Sequence, residues 1–93
     1  MTYTCTIQSQ EYTIPDHMMD AINRYVQNHI EPGGFLTAVI CNDLVEAVGR
    51  ADDLNMTLLP AYVNYFYNEA PGACWGSPER MERWLNGGIH DER

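Results

Sequence analysis

The residues GGFLTAVICNDLVEAVGR, at positions 33–50, decide how this chain can fold. The pair Gly33 and Gly34 can open a helix, and the apolar side chains that follow recur every three or four residues, which is the spacing of one helix face. This stripe consists of Leu36, Ile40, Leu44, Ala47, Val48 and Ala51. We therefore predict one central helix over about residues 34–50.

An alternative interpretation divides this stretch in two. Asn42 or Asp43 could cap a second, shorter helix, because Glu46 stands three residues after Asp43 as in a capping box. We favour the single helix because the apolar stripe keeps its phase across Asn42.

The first half of the stretch, residues 35–41, is apolar on nearly every side. A helix that is apolar all round is normally buried on several sides. A chain of 93 residues can bury only a modest core. We therefore expect this half to serve both as core and as a subunit interface, so that the protein forms a homo-oligomer.

Three more helices flank the central one in the predicted fold. Apolar residues at helical spacing predict a helix over about 15–31, with Pro15 at its first position. Another is expected over about 53–69, where Pro60 should kink or interrupt it. Ser77 then caps a last short helix over about 78–86.

Residues 2–7 alternate apolar and polar side chains, and residues 11–14 could pair with them after a polar turn at 8–10. Residues 2–14 therefore favour a β-strand or hairpin, with an extended arm as the alternative. The prediction is a mainly α protein of four helices with this N-terminal element. We expect residues 1–93 to form a single domain, with a helical body over 15–87 and a frayed tail over 88–93.

The chain has a formal net charge of -8, with five arginines and no lysine. Such a surface repels nucleic acid and anionic membranes, because binding to phosphates depends on clustered Lys and Arg. The widely spaced Cys5, Cys41 and Cys74 predict neither a disulfide framework nor a metal site, and Cys41 is expected to be a small buried side chain. The chain has no signal-peptide pattern and no apolar run of membrane-spanning length, so we expect a cytoplasmic protein without cofactors.

Helix starts are the first candidate ligand sites. Unpaired N–H groups at Gly33 and Gly34 could bind an anionic group, and the Thr37 hydroxyl could add a contact. Gly76 and Ser77 offer a similar start. Guanidinium groups that could add bidentate phosphate contacts, or else form surface ion pairs, belong to Arg24, Arg50, Arg80 and Arg83.

Catalysis is not predicted. His17 lies on the polar face of the first helix and His29 on its apolar arc, where a histidine is expected to be a satisfied core or interface group. No Ser-His-Asp or Cys-His arrangement, metal motif or P-loop can be argued from the spacing of the residues. We therefore expect a protein that is not an enzyme.

Several short motifs, taken together, resemble a family of small proteins of bacteriophages and prophages. The resemblance covers residues 14–85, and its motifs are Ile14-Pro15-x-His17-Met18, Arg24-Tyr25-Val26, Pro32-Gly33-Gly34-Phe35-Leu36-x-Ala38-Val39, Asn42-Asp43-Leu44, Arg50-Ala51-Asp52, Tyr67-Asn68-Glu69-Ala70-Pro71 and Cys74-Trp75-Gly76-Ser77. Small phage proteins of this size often act against host defence. Some are sponges, compact homo-oligomers that sequester the nucleotide signals of CBASS or Thoeris systems.

By analogy with that class, the resemblance implies a homo-oligomer in the host cytoplasm that binds a small nucleotide-type ligand without chemistry. The expected ligand-binding residues, with the aromatic rings stacking on a base, are Arg24, Tyr25, Gly33, Gly34, Thr37, Arg50 and Trp75. One alternative is an acidic inhibitor or DNA mimic that binds a host nuclease or regulator. Another is a purely structural phage protein.

Overall fold

The computed structural model describes residues 2–87, which form an N-terminal hairpin followed by five α-helices. The strands are β1 (Tyr3–Ile7) and β2 (Gln10–Ile14). The helices are α1 (Asp16–Asn28), α2 (Gly34–Ile40), α3 (Leu44–Arg50), α4 (Asp53–Asn68) and α5 (Pro78–Leu85), with one 3-10 turn at Gly72–Cys74. The mainly helical class and the hairpin are confirmed. The predicted tail at 88–93 lies outside the described residues.

The hairpin is antiparallel and closes through the two-residue turn of Gln8 and Ser9. Both turn residues have positive φ angles, 51° and 68°, as a type I′ turn requires. The hairpin packs on α4, where the ring of Tyr3 meets that of Tyr65 edge-on at 5.0 Å between centroids. The Asn64 amide also donates a hydrogen bond of 2.7 Å to the Tyr3 hydroxyl. A two-stranded hairpin is marginal alone, and α4 supplies the surface that it needs.

The prediction of one helix over 34–50 is wrong, because the chain forms two helices there. Asn42 adopts the left-handed conformation with φ 61°, and the Asp43 N–H turns back to the Ala38 carbonyl at 2.9 Å. The Asp43 carboxylate then accepts a hydrogen bond from the Glu46 N–H at 3.2 Å and caps α3. Asn tolerates the left-handed conformation better than most residues. The local cap therefore overrides the continuous apolar stripe, and the fold has five helices instead of four.

The core lies between α2, α4, α1 and the hairpin. Of the seven residues of α2, five are buried within this single chain, namely Phe35, Leu36, Ala38, Val39 and Ile40. The surrounding elements of the same chain thus cover most of residues 35–41, and the expected subunit interface there stays a prediction. In α3, by contrast, Ala47 is buried while Leu44 and Val48, both expected in the core, are exposed.

Helix α4 runs without interruption through Pro60, which lies on its exposed side. The Asp52 carboxylate caps the helix by accepting a hydrogen bond of 2.7 Å from the Asn55 N–H. Asn55 is a buried polar residue, and its side-chain oxygen accepts a hydrogen bond of 2.6 Å from the Tyr62 hydroxyl. Pro60 therefore does not break the helix, because packing of the inner face holds both halves in place.

Helix α5 begins as predicted, with Ser77 as its cap and Pro78 at its first position. Its Trp84 packs against the C-terminal end of α1. The indole N–H donates to the Tyr25 and Val26 carbonyls at 3.2 Å each. The Trp84 carbonyl lies 2.6 Å from His29 Nδ1, so His29 is a satisfied packing residue, as expected.

Candidate functional site

Three of the predicted ligand-binding residues meet in one cavity of about 390 Å³, and we call it the Arg50 cavity. It lies beside α2 and α3, and Pro78 at the start of α5 closes one part of it. Its lining consists of Glu31, Pro32, Gly34, Thr37, Ala38, Cys41, Asp43, Glu46, Arg50 and Pro78.

The break between α2 and α3 creates this cavity. In one straight helix, Gly34 and Arg50 would lie about 24 Å apart at a rise of ~1.5 Å per residue. In the structure α3 folds back, and the Arg50 guanidinium lies over Gly34. A Cβ atom on Gly34 would stand only 3.0 Å from an Arg50 guanidinium nitrogen. A glycine at this position therefore permits the close approach of the Arg50 side chain.

The charges of the Arg50 cavity are mostly negative. Its lining includes the carboxylates of Glu31, Asp43 and Glu46 beside the single guanidinium of Arg50. Arg50 Nε already donates a hydrogen bond of 2.9 Å to Glu46. The Thr37 hydroxyl is directed at the Pro32 carbonyl at 3.4 Å. A ligand with several phosphates would therefore meet net repulsion here.

The remaining predicted residues lie elsewhere. Gly33 is exposed, and a Cβ atom added to it would have open space within 4 Å, while Arg24 is exposed on α1. Trp75 is partly buried against Phe66, with ring centroids 6.1 Å apart. Trp75 lines a smaller cavity of about 80 Å³, which shares Ala38 and Asp43 with the Arg50 cavity. The structure thus divides the seven residues among several places.

Tyr25 is fully buried, so its ring cannot stack on a ligand from solvent. Its hydroxyl donates a hydrogen bond of 2.6 Å to the Cys74 carbonyl. Burial raises the pKa of this hydroxyl well above its usual value. Tyr25 is therefore a packing residue that ties α1 to the loop before α5.

A second, apolar depression was not predicted from the sequence. This apolar groove has a volume of about 470 Å³ and lies where α4, the first residue of α3 and the end of β1 meet. It is lined by Ile7, Leu44, Leu59, Pro60, Val63, Asn64, Tyr67 and Asn68. None of these described lining residues carries a formal charge at neutral pH.

The groove stands beside an exposed apolar ridge on α3, formed by Leu44, Val45 and Val48. Leu44 is 67% exposed and Val45 is 80% exposed, while Tyr67, which also lines the groove, is 76% exposed. Apolar side chains scattered singly over a surface are ordinary, whereas contiguous ones mark interaction sites. In the sequence, the possible cap at Asp43 is the feature that indicates this ridge. A new helix that begins there turns Leu44 and Val48 away from the core.

The described residues contain neither a cluster of metal-binding side chains nor a membrane-spanning helix. Across residues 2–87, no three or more His, Cys, Asp and Glu side chains are grouped so that they could hold a metal ion. None of the helices within the same residues has the length and apolar character to span a membrane. Burial raises the pKa of the Cys74 thiol to about 11, which keeps it in the unreactive neutral form at neutral pH.

No protein-family model, no curated protein and no solved structure matches this chain. The resemblance to small phage proteins therefore stays a prediction, and inferences about function depend on the geometry of the chain itself.

Proposed function

We propose that this protein is a non-catalytic binding protein that docks the apolar groove and the α3 ridge onto another protein chain. The observation that supports this is the exposed apolar surface that runs from Val45 across Leu44 and Val63 to Tyr67. Burying apolar surface is the dominant favourable contribution to most protein association, at roughly 25 cal/mol per Å². In a chain of net charge -8, an uncharged face of this kind favours contact with protein.

The pKa values of the titratable groups also favour a binding protein over an enzyme. The largest pKa shifts among the described residues belong to buried groups, Tyr25, Tyr62 and Cys74, and burial raises each of them. A raised pKa keeps a hydroxyl or thiol neutral, which is the opposite of activating a nucleophile. Each of these side chains is packed in the core instead of facing a cavity.

A capture experiment with charge variants tests this proposal. Tagged chain is co-expressed in bacteria with an untagged copy, and every retained protein is identified by mass spectrometry. We expect Val63→Asp to reduce the retained partner at least tenfold, because it places a carboxylate in the groove. Gln27→Asp, which adds the same charge on the exposed face of α1, should retain the partner like wild type. The proposal would be contradicted if the wild type retained no protein, or if the wild type, Val63→Asp and Gln27→Asp retained equal amounts of partner.

A second candidate function is sequestration of a small nucleotide-type signal, as the resemblance to phage anti-defence proteins suggests. The favouring observation is that Gly34, Thr37 and Arg50 line one cavity of about 390 Å³, within the ~300–1,000 Å³ range of small-molecule sites. The carboxylates beside Arg50 favour a ligand with few phosphates over a polyanion.

Thermal unfolding in the presence of ligands tests the second candidate. Cyclic dinucleotides and cyclic ADP-ribose isomers are added singly, and a true ligand at about 100 times its Kd should stabilise the protein by ~2.7 kcal/mol. Arg50→Ala should abolish that shift, whereas Arg24→Ala, on exposed α1, should keep it. If none of these compounds raises the melting temperature, this candidate is lost.

A further inference from the structure

The outer edge of strand β1 carries backbone groups that no described residue pairs with. The two-residue turn makes Ile7 and Gln10 a hydrogen-bonded pair, and such pairs alternate along an antiparallel ladder with pairs whose backbone groups point outward. Thr4 and Thr6 therefore belong to the outward-pointing kind. The hydroxyl oxygens of Thr4 and Thr13 lie 3.0 Å apart, as expected for the closer side chains of a non-hydrogen-bonded pair. Within the described chain, no group bonds to the outward N–H and C=O groups of Thr4 and Thr6, so this edge is open to a further strand.

Strand β1 also lacks the features that usually keep an edge strand from pairing with another chain. Natural edges carry charged side chains, a proline or a bulge, or are covered by a helix or loop. The 5 residues Tyr3–Ile7 are uncharged, include no proline and pair with β2 in continuous register. The edge of β2, in contrast, carries the exposed carboxylate of Glu11, and two paired β2 edges would bring these carboxylates near each other. The edge of β1 is therefore the one suited to strand addition.

The burial of the hairpin shows that its open side is the side of β1. Tyr3, Cys5 and Ile7 share the face of β1 that packs on α4, yet each of them is only half-buried. Ile14 of β2, which pairs with Tyr3 in the register, is fully buried. A strand added to the free edge of β1 would cover part of the apolar surface that this strand leaves exposed.

The side-chain pattern of β1 favours a second copy of the same strand. Read in either direction, YTCTI gives a large apolar residue, a threonine, the central cysteine, a threonine and a large apolar residue. Antiparallel pairing about a two-fold axis at Cys5 places Thr4 against Thr6 of the second copy, and Tyr3 against its Ile7. Threonine pairs and aromatic–β-branched pairs are among the cross-strand pairs that stabilise a sheet. In the same register, the outward N–H and C=O groups of Thr4 and Thr6 meet as hydrogen-bonded pairs.

We infer that the free edge of β1 binds β1 of a second copy of this chain, so that the two hairpins form one antiparallel sheet in the order β2-β1-β1-β2. The contact is isologous, because each copy offers the same strand to the other. This inference goes beyond the proposed function, since it depends on the backbone of β1 and not on the apolar groove.

Cys5 allows the contact to be tested without destabilising the chain. In the inferred register it faces Cys5 of the second copy in a non-hydrogen-bonded pair, where Cα atoms lie about 4.5 Å apart. That separation lies within the ~4.4–6.8 Å range of disulfides. Diamide, which accepts the two electrons and two protons of a thiol pair, should therefore link the full chain into a dimer on a non-reducing gel. Cys5→Ser should stay unlinked, whereas the matched control Cys41→Ser should link like wild type.

Proline at the two edges of the hairpin tests the backbone ladder. Thr6→Pro removes an N–H that points away from β2, so it blocks the ladder between copies and keeps the hydrogen bonds within the hairpin. Thr13→Pro makes the same substitution at the outer edge of β2. Sedimentation equilibrium is run in 1 M salt, which screens the repulsion between two chains of net charge -8. We expect a dimer whose Kd rises at least tenfold in Thr6→Pro and less than twofold in Thr13→Pro, and circular dichroism shows whether both variants are folded.

The register is tested by moving the cysteine. Thr4→Cys and Thr6→Cys, each made together with Cys5→Ser, should link to each other when mixed and much less when each is oxidised alone. Equal linking of the separate and mixed samples overturns the register. A wild type that stays monomeric and unlinked overturns the inference, as does a dimer that Thr6→Pro leaves unchanged. These results would not affect the proposed function, because capture through the groove is measured separately with Val63→Asp.

Discussion

Helices α2 and α3 each have seven residues and follow one another in the chain, yet they occupy opposite environments. Five residues of α2 are buried, whereas α3 buries Ala47 and exposes Leu44, Val45 and Val48. Both helices carry several aliphatic side chains, so apolar content does not explain the difference. Three residues lie between them, and of these Asn42, with its left-handed backbone, and the capping Asp43 turn the second helix away from the core.

The two helices also differ in how their ends are held. The Ile40 carbonyl at the end of α2 accepts a hydrogen bond of 2.7 Å from the Gly76 N–H, and the Tyr25 hydroxyl holds the same loop through Cys74. Helix α3 is held at its start by its own Asp43 cap and on its surface by the Glu46–Arg50 pair. Tertiary contacts stabilise α2, and mostly local contacts stabilise α3.

The largest expected effect comes from truncating one apolar residue in each helix. Ile40→Ala should lower the free energy of unfolding by about 2–5 kcal/mol, because it empties a fully buried site. Leu44→Ala, at an exposed site, should change it by less than about 0.5 kcal/mol. Urea unfolding at low protein concentration, where self-association adds little, measures both. Equal losses would show that the two helices share one environment after all.

The next effect concerns the loop that holds α2. Tyr25→Phe removes the hydroxyl that satisfies the Cys74 carbonyl and should cost about 1–3 kcal/mol. Tyr67→Phe removes a hydroxyl from an exposed ring and should be nearly neutral. Thermal unfolding of the two variants gives the comparison. A neutral Tyr25→Phe would mean that α2 does not depend on this loop.

A smaller effect is expected at the start of α3. Asp43→Ala removes the side-chain cap and should cost about 1 kcal/mol. Because α3 has few tertiary contacts, the loss should appear as faster amide hydrogen exchange within α3 and not within α2. Asp20→Ala, on the exposed face of α1, serves as the control for removal of one carboxylate. Faster exchange in both helices would show that they open as one unit.

The smallest effect belongs to the surface pair on α3. Glu46→Gln breaks the contact with Arg50, and since both side chains are more than half exposed it should cost only about 0.3–0.5 kcal/mol. The difference should vanish in 1 M salt, at which the screening length is about 3 Å. Denaturant unfolding of the wild type and Glu46→Gln at low salt and in 1 M salt measures this difference in the free energy of unfolding. A loss that persists at high salt would point to a role for Glu46 other than this ion pair.

Local signals in the sequence predicted the ends of most elements. Ser77 and Pro78 mark the start of α5, and the alternation in residues 2–7 with the polar turn after it marks the hairpin. The break at Asn42 was missed because the apolar stripe stays in phase there. The phase of an apolar stripe shows which residues could share one helix face. Whether the helix continues is decided by the left-handed backbone of Asn42 and by the Asp43 cap.

The candidate site was harder to predict because it depends on that break. Gly34 and Arg50 were named for their separate chemistry, and only the fold-back of α3 brings them together. Tyr25 looked like an aromatic ligand contact, but sequence alone does not distinguish a ring that lines a cavity from one packed in the core. The apolar groove combines residues from β1, α3 and α4, and no pattern within one element reveals it.

The contacts of Trp84 have a consequence for how the chain folds during synthesis. Its indole N–H reaches the Tyr25 carbonyl across 59 residues, and its carbonyl lies against His29. Contacts between residues so far apart in sequence must wait for loop closure, which makes them slow to form. Since α5 follows the other described helices in the chain, the end of α1 stays uncovered until α5 has left the ribosome. Truncating the chain before Trp84 should therefore leave a nascent polypeptide that chaperones retain.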